Sequence, residues 1–299
     1  MGSRRARLAF SRWRDAADAE AQGEQFAQAL GCPDARTAAA CLRSKTRDEV
    51  LRALPIDQQK FTESGVVQWG PIVDGLEIPD QPRELYRRGE FNRVPLIIGV
   101  QGDEGWIYVD RSFPTGLSAS DYAAAVTREF GFDGLAILKR YPTAQYATPK
   151  DALARLAGDA EYVCEARRVA SFVEKTGTPV YLYSFEHSVD ELSEGRSIHG
   201  IESNFLFGNN FGAPSNHVFN AVDQALFSTM SERWARFAGT GNPNTGSDLE
   251  WPRFDRVSAR YLVLDATVGE ANHVRDQYCN FWEQSFFRTV AGAVPASRP

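Results

Sequence analysis

These 299 residues contain no apolar run long enough to cross a bilayer. The longest lies around Val94 to Val100, far short of the ~20 residues that a membrane helix needs. Positive charge is not in excess either: the net charge is -6, which argues against a nucleic-acid groove or an anionic-membrane surface. No CxxC pair occurs, and the four His stand apart at 187, 199, 217 and 273, so a zinc-binding spacing is missing. There is no internal repeat and no low-complexity linker. The first residues lack an apolar h-region and do not read as a secretory signal. Met1 to Arg14 holds five Arg and no acid, which fits a transit peptide or, more simply, an irregular basic lead-in to the next helix.

With 43% hydrophobic and 24% charged residues, the composition is that of a globular chain with a real core. Ala17 to Leu30 reads as a helix ending at Gly31, and Asp48 to Ala53 as a short one. Phe61 to Asp80 is broken by Gly and Pro and reads as loops with short extended pieces. VPLIIGV (Val94 to Val100) is apolar throughout, the pattern of a strand buried on both faces. Pro179 to Phe185 (PVYLYSF) and Tyr261 to Asp265 (YLVLD) are two further strands. Helical stretches cover Ser118 to Gly131, Asp151 to Thr176, Asn216 to Ala238 and Asn272 to Ala291. Strands separated by helices predict a mixed α/β chain with a parallel or mixed sheet. Three strong strands are few for this length, so the sheet is expected to be incomplete.

Two constellations carry chemistry. GVQGDEGW (Gly99 to Trp106) places Asp103 and Glu104 at the carboxyl end of a buried strand, where α/β sheets put their ligands; a solvated acidic turn is the plainer alternative. SIHGIESNFLFG (Ser197 to Gly208) puts His199 in a loop beside Gly200, although His187 lies nearer the preceding strand and competes with it. An acid followed by a His is the latter part of the Ser, acid, His order of α/β-hydrolases, in which the His is the general base and the carboxylate fixes its tautomer. The nucleophile is missing from this stretch of sequence. A GxSxG elbow needs two Gly four apart around a Ser, and only Gly208 and Gly212 have that separation, with Asn210 between them. No HGGG-like oxyanion segment occurs. The four Cys (Cys32, Cys41, Cys164, Cys279) are equally compatible with free thiols and with disulfides.

From about Ala19 onward the chain resembles the downstream half of type-B carboxylesterases, the family of cholinesterases and bacterial para-nitrobenzyl esterases. AEAQGEQFAQALGC, ACLRS, GPIVDGLEIPDQP, GEFNRVPLIIGVQGDEG, PVYLYSFEH, SIHGIESNFLFGN, WARFAGTGNPN, WPRF and QYCNFWEQ follow one another in the family's order. The resemblance implies the C-terminal part of an α/β-hydrolase fold over 19–290, with 1–18 an unmatched basic lead-in and 291–299 a tail. It implies Glu104 as the triad acid, His199 as the base, Asp103 beside the acid and Glu202 as a supporting acid near the His. It also implies disulfides Cys32–Cys41 and Cys164–Cys279, hence an exported parent protein, secreted or periplasmic. Gln101 departs from the family's usual Asn. No cofactor or metal is implied. The expected substrate is a carboxylic ester, with Trp106, Tyr108, Phe205 and Phe207 as candidate gorge aromatics or core. The chain alone is expected to be inactive and poorly soluble, needing the N-terminal half as partner. The alternatives are a non-catalytic cholinesterase-like binding protein or the relic of a broken gene.

Overall fold

The computed structural model describes residues 13–54, 69–209, 217–246 and 249–291. Its centre is a four-stranded sheet made from β3 (Leu96–Gln101), β4 (Val180–Phe185), β5 (Arg260–Leu264) and β6 (Gly269–Asn272), in the order β3-β4-β5-β6. β3, β4 and β5 run parallel, with Leu96 opposite Val180 and Tyr183 opposite Leu262. β6 turns back antiparallel on β5. The sheet is therefore mixed, small and not closed. A two-residue pair, β1 (Arg14–Asp15) with β2 (Ile72–Val73), lies apart from it.

The reason β4 has no polar face is visible in its surroundings. Alternate side chains point to opposite sides of a strand. Tyr181, Tyr183 and Phe185 enter one core with Leu226, Met230 and Trp251, while Val180 and Leu182 enter another with Ala170, Val173 and Phe254. All six residues of β4 are buried. The same holds in weaker form for β3, where Ile97 faces the first of these cores and Ile98 the second. Among the described residues β3 pairs on one side only.

Helices fill the connections. In the N-terminal part are α1 (Ala16–Ala29), α2 (Ala38–Arg43), α3 (Arg47–Arg52) and α4 (Pro82–Arg88). Between β3 and β4 lie α5 (Trp106–Ser112), α6 (Ala119–Phe130), α7 (Gly134–Arg140), α8 (Pro149–Gly158) and α9 (Cys164–Glu174). A single π turn, Asp159–Val163, joins α8 to α9. After β4 come α10 (Asp190–Ser193), α11 (Glu202–Phe207) and α12 (Ala221–Thr240), and α13 (Asp276–Ala291) follows β6. No helix among the described residues is long and apolar enough to cross a membrane.

Two sequence expectations shift. The helix read from Asn216 begins at Ala221, because the Asn220 side chain accepts from the backbone N–H groups of Val222 and Asp223 and caps it there; Asn216 itself lies outside the described residues. The helix read from Asn272 starts at Asp276, since GEAN forms β6 first. Phe61 to Gln68, all but the last residues of the basic lead-in and nearly all of the 291–299 tail fall outside the described residues, whereas 69–80 is described and holds the short strand β2 between bends. Cys32 is bonded to Cys41 and Cys164 to Cys279. The second bridge fixes α9 to α13 inside the main core, where both cysteines and Trp282 are fully buried.

Candidate active site

β3 ends at Gln101 and the chain turns through Gly102, Asp103, Glu104 and Gly105 into α5. The turn is pressed against α8: a Cβ on Gly105 would sit 2.2 Å from the Ala154 carbonyl oxygen and 2.6 Å from the Gly158 nitrogen. Only glycine fits there. A short ladder then carries the histidine loop alongside. Gly102 N–H donates to the Phe185 carbonyl at 3.0 Å and Asp103 N–H to the Ser197 carbonyl at 2.8 Å. Ser197 N–H returns a bond to Asp103 Oδ2 at 3.3 Å, and Ser197 Oγ–H donates to the Phe185 carbonyl at 2.6 Å. Asp103 is thus the brace of this crossing, with Arg155 3.8 Å from its other oxygen.

The ladder sets His199 opposite Glu104, with Nδ1 2.6 Å from Glu104 Oε2. The second carboxylate oxygen accepts from the Gln101 N–H at 2.8 Å. Glu104 is 3% exposed, whereas the His199 side chain is 38% exposed. A buried carboxylate holding one imidazole nitrogen, with the ring turned toward the surface, is the arrangement by which an acid orients a general base. Glu202, in the first turn of α11, lies behind the pair. Burial pushes its carboxyl above the usual range and the charge of Glu104 adds to this, while bonds from its own backbone and from the Gln101 side chain act the other way. Gln101 therefore ties the strand end to Glu202.

The aromatics separate. Tyr108 lies 6.0 Å from the His199 ring. Trp106 carries Arg196 at 3.6 Å and Lys150 at 4.7 Å on its ring. Phe205 is fully buried in the core against Phe185 and Phe219, and Phe207 is 65% exposed. Sequence reasoning missed Tyr162, whose ring packs 4.6 Å from His199. The competing His187 has an acid of its own: Asp223 Oδ1 is 2.8 Å from Nε2, and His217 Nε2 is 3.0 Å from the other oxygen of the same carboxylate. Among the described residues, no group of three or more His, Cys, Asp or Glu is placed to hold a metal ion. Beyond Glu104 opens a cavity of about 350 Å³ whose mixed lining includes Asp103, Tyr146, Ala154, Arg155, Val163 and Arg196.

A helix-covered, largely parallel sheet with an acid at one strand end and a histidine after the next is an α/β-hydrolase-type fold. The carboxylesterase family model matches residues 8–282, and the chain belongs to that family. It is 30% identical over 290 residues to the duck (Anas platyrhynchos) medium-chain fatty acyl-CoA hydrolase precursor, covering 89% of this chain and 50% of that protein. Dog (Canis lupus familiaris) carboxylesterase 5A is 29% identical over 279 residues, 87% of this chain and 47% of its own length. Mouse (Mus musculus) cholinesterase is 27% identical over 272 residues, 82% and 44% respectively. The chain spans about half the length of the curated relatives it matches.

Proposed function

We propose that this chain forms the acid–histidine half of a serine carboxylic ester hydrolase working through an acyl-enzyme. Glu104 is the triad acid and His199 the general base. The observation that carries this reading is the 2.6 Å contact between the His199 Nδ1 and the buried Glu104. The nucleophilic serine and the oxyanion donors come from a segment outside these 299 residues. His199 takes the serine proton as the serine attacks the ester carbonyl, returns it to the leaving alcohol, and then activates water to release the acid. Glu104 keeps the Nδ1–H tautomer, so that Nε2 is the basic atom, and stabilises the imidazolium that forms. Asp103 holds the histidine loop and Glu202 supports the pair from behind. The substrate is a carboxylic ester with a moderately apolar acyl or alcohol part. The one-sided pairing of β3 supports docking of the segment that carries the serine, since an unpaired strand edge is a ready template for another strand. The two disulfides support an exported parent protein.

The test starts with the reading frame upstream of Met1, where a GxSxG elbow is expected. Co-expression of that segment with this chain should give hydrolysis of para-nitrophenyl acetate. Glu104→Gln should lower it by about 10⁴-fold, the loss seen when a triad acid is replaced by its amide, and His199→Gln by a similar factor. The 299-residue chain alone should hydrolyse no faster than a Glu104→Ala/His199→Ala control. Activity of the assembled protein that ignores both substitutions would sink the assignment, and no activity above the control would leave the binding-protein reading. Robust activity of the chain alone that depends on both residues would overturn the divided site.

A further inference from the structure

The bond to Glu104, taken by itself, fixes one atom of the His199 ring and leaves two motions open. The imidazole can pivot about the Nδ1···Oε2 line, and its loop can shift, since Gly200 follows at φ +83° and adds no side-chain restraint. Either motion moves Nε2, the atom that must meet the nucleophile. A base displaced by ~1 Å costs on the order of 10²-fold in rate. A ring packed against its side would limit both motions.

Tyr162 is placed to do so. Its ring lies 4.6 Å from the imidazole at an interplanar angle of 41°, which is direct van der Waals contact. Its own position is fixed at several points. The Tyr162 hydroxyl donates to the Tyr108 hydroxyl at 2.7 Å, and the two phenol rings stack 6.0 Å apart at 12°. Tyr162 belongs to the π turn Asp159–Val163, an insertion that shifts the side chains after it round the helix axis and recurs at functional sites. That turn is keyed to the acid, because the ideal Cβ position of Gly158 lies 3.2 Å from the Glu104 Cβ. On its far side the chain is clamped by the Cys164–Cys279 bridge. The same stretch of chain therefore runs close beside Glu104 at Gly158 and meets His199 through Tyr162.

We propose that Tyr162 is a positioning residue for His199, a side plate held by the Tyr108 hydroxyl that keeps the imidazole on Glu104 with Nε2 pointing at the nucleophile. The role rests on His199 being the base, as argued above. Its test reads the imidazole itself and does not need the serine.

The chain has only four histidines, so ¹⁵N-labelled 299-residue protein, with His199 assigned by His199→Gln, gives a resolvable imidazole spectrum. Above the imidazole titration range the unsubstituted chain should show His199 as a single Nδ1–H tautomer. Its ring protons should be displaced upfield by the Tyr162 ring current. Tyr162→Leu keeps apolar bulk without the plate and should lose both signatures, averaging the two ring nitrogens. Tyr162→Phe keeps the ring but not the tether, and should retain the upfield displacement while the His199 signals broaden. His187, His217 and His273 should be unmoved in both variants, which reports an intact fold. In the assembled enzyme Tyr162→Leu should lower kcat by about 10- to 100-fold with a smaller change in KM. His199 spectra unchanged in Tyr162→Leu, with the other three unmoved, overturn the proposal. If Tyr162→Leu disturbs all four, the Tyr162→Phe spectrum decides, and sharp, unshifted His199 signals there overturn it equally. Because the serine takes no part in these spectra, a failed esterase assay leaves this result standing, and the reverse is also true.

Discussion

Asp159 opens the π turn with its side chain shut away from water, 1% exposed, and with uneven bonding. Oδ2 accepts from the Tyr141 hydroxyl at 3.2 Å, while Oδ1 has no hydrogen-bond donor and meets only the distant Arg275 Nε at 3.7 Å. Burial pushes this carboxyl up to about 7, against the opposing pull of the Arg155 charge and the Tyr141 bond. A carboxyl raised in the folded state binds its proton there while the unfolded chain has already lost it. The stability it contributes is present in full below the unfolded value near 3.8 and is lost as pH rises toward 7. Asp159→Asn removes the titration and keeps the shape. The two proteins should be matched in urea midpoint at pH ~4, and the variant should gain on the order of a few kcal/mol relative to the wild type by neutral pH. Parallel stability curves across that window would show that Asp159 stays charged in its cavity. Glu202 is raised for the same leading reason, so its contribution has the same sign.

At the scale of elements, two glycines of equal standing in the sequence have opposite prospects. Gly23 lies inside α1 with nothing within 4 Å of a Cβ, so Gly23→Ala should stabilise by about 0.5–1 kcal/mol through the unfolded chain. At Gly105 the added methyl would meet backbone atoms of Ala154 and Gly158, which cannot rotate away. Gly105→Ala should cost about 1–3 kcal/mol or more and prise the Glu104 turn off α8. Urea melts of both variants check this, and a neutral Gly105→Ala would mean that the turn is not packed as described. This contact was hidden in the sequence, as were several elements, and each for a physical reason. β3 and β4 announce themselves as continuous apolar runs because both faces are covered. β6 is GEAN, polar and half exposed, and exists because β5 offers it a ladder. α5 (WIYVDRS) has β-branched and aromatic residues that favour strand over helix; packing on α8 decides it. The two histidines were inseparable by spacing, and the structure gives each its own carboxylate, the difference being that His187 is 12% exposed and His199 38%. Tyr162 had no signal at all, because a π turn leaves no mark on hydrophobic period.

Over the whole molecule, the two disulfides divide the chain into a part that belongs to the sheet and a part that does not. Cys32–Cys41 spans 9 residues and sits in a small separate cluster with Ala27 and Leu30. Cys164–Cys279 spans 115 residues and crosses the main core, linking the helices before β4 to the helix after β6. In the chain-entropy account the longer loop constrains the unfolded state more, by about 2 kcal/mol between these two lengths. The core bridge should also act on the global transition and the short one on local fraying, because contiguous clusters open as units. Cys164→Ala/Cys279→Ala should therefore lower the cooperative urea transition of the entire sheet. Cys32→Ala/Cys41→Ala should leave that midpoint close to the wild type and loosen only the first helices, seen at Trp69, whose ring meets Phe26 at 5.0 Å. Equal shifts from the two pairs would mean that the N-terminal cluster folds as one unit with the sheet. A larger effect from the core pair means that the Glu104–His199 site rests on a body stapled independently of its N-terminal helices. That body includes the open side of β3, so loosening those helices should leave intact the surface on which the serine-bearing segment is proposed to dock.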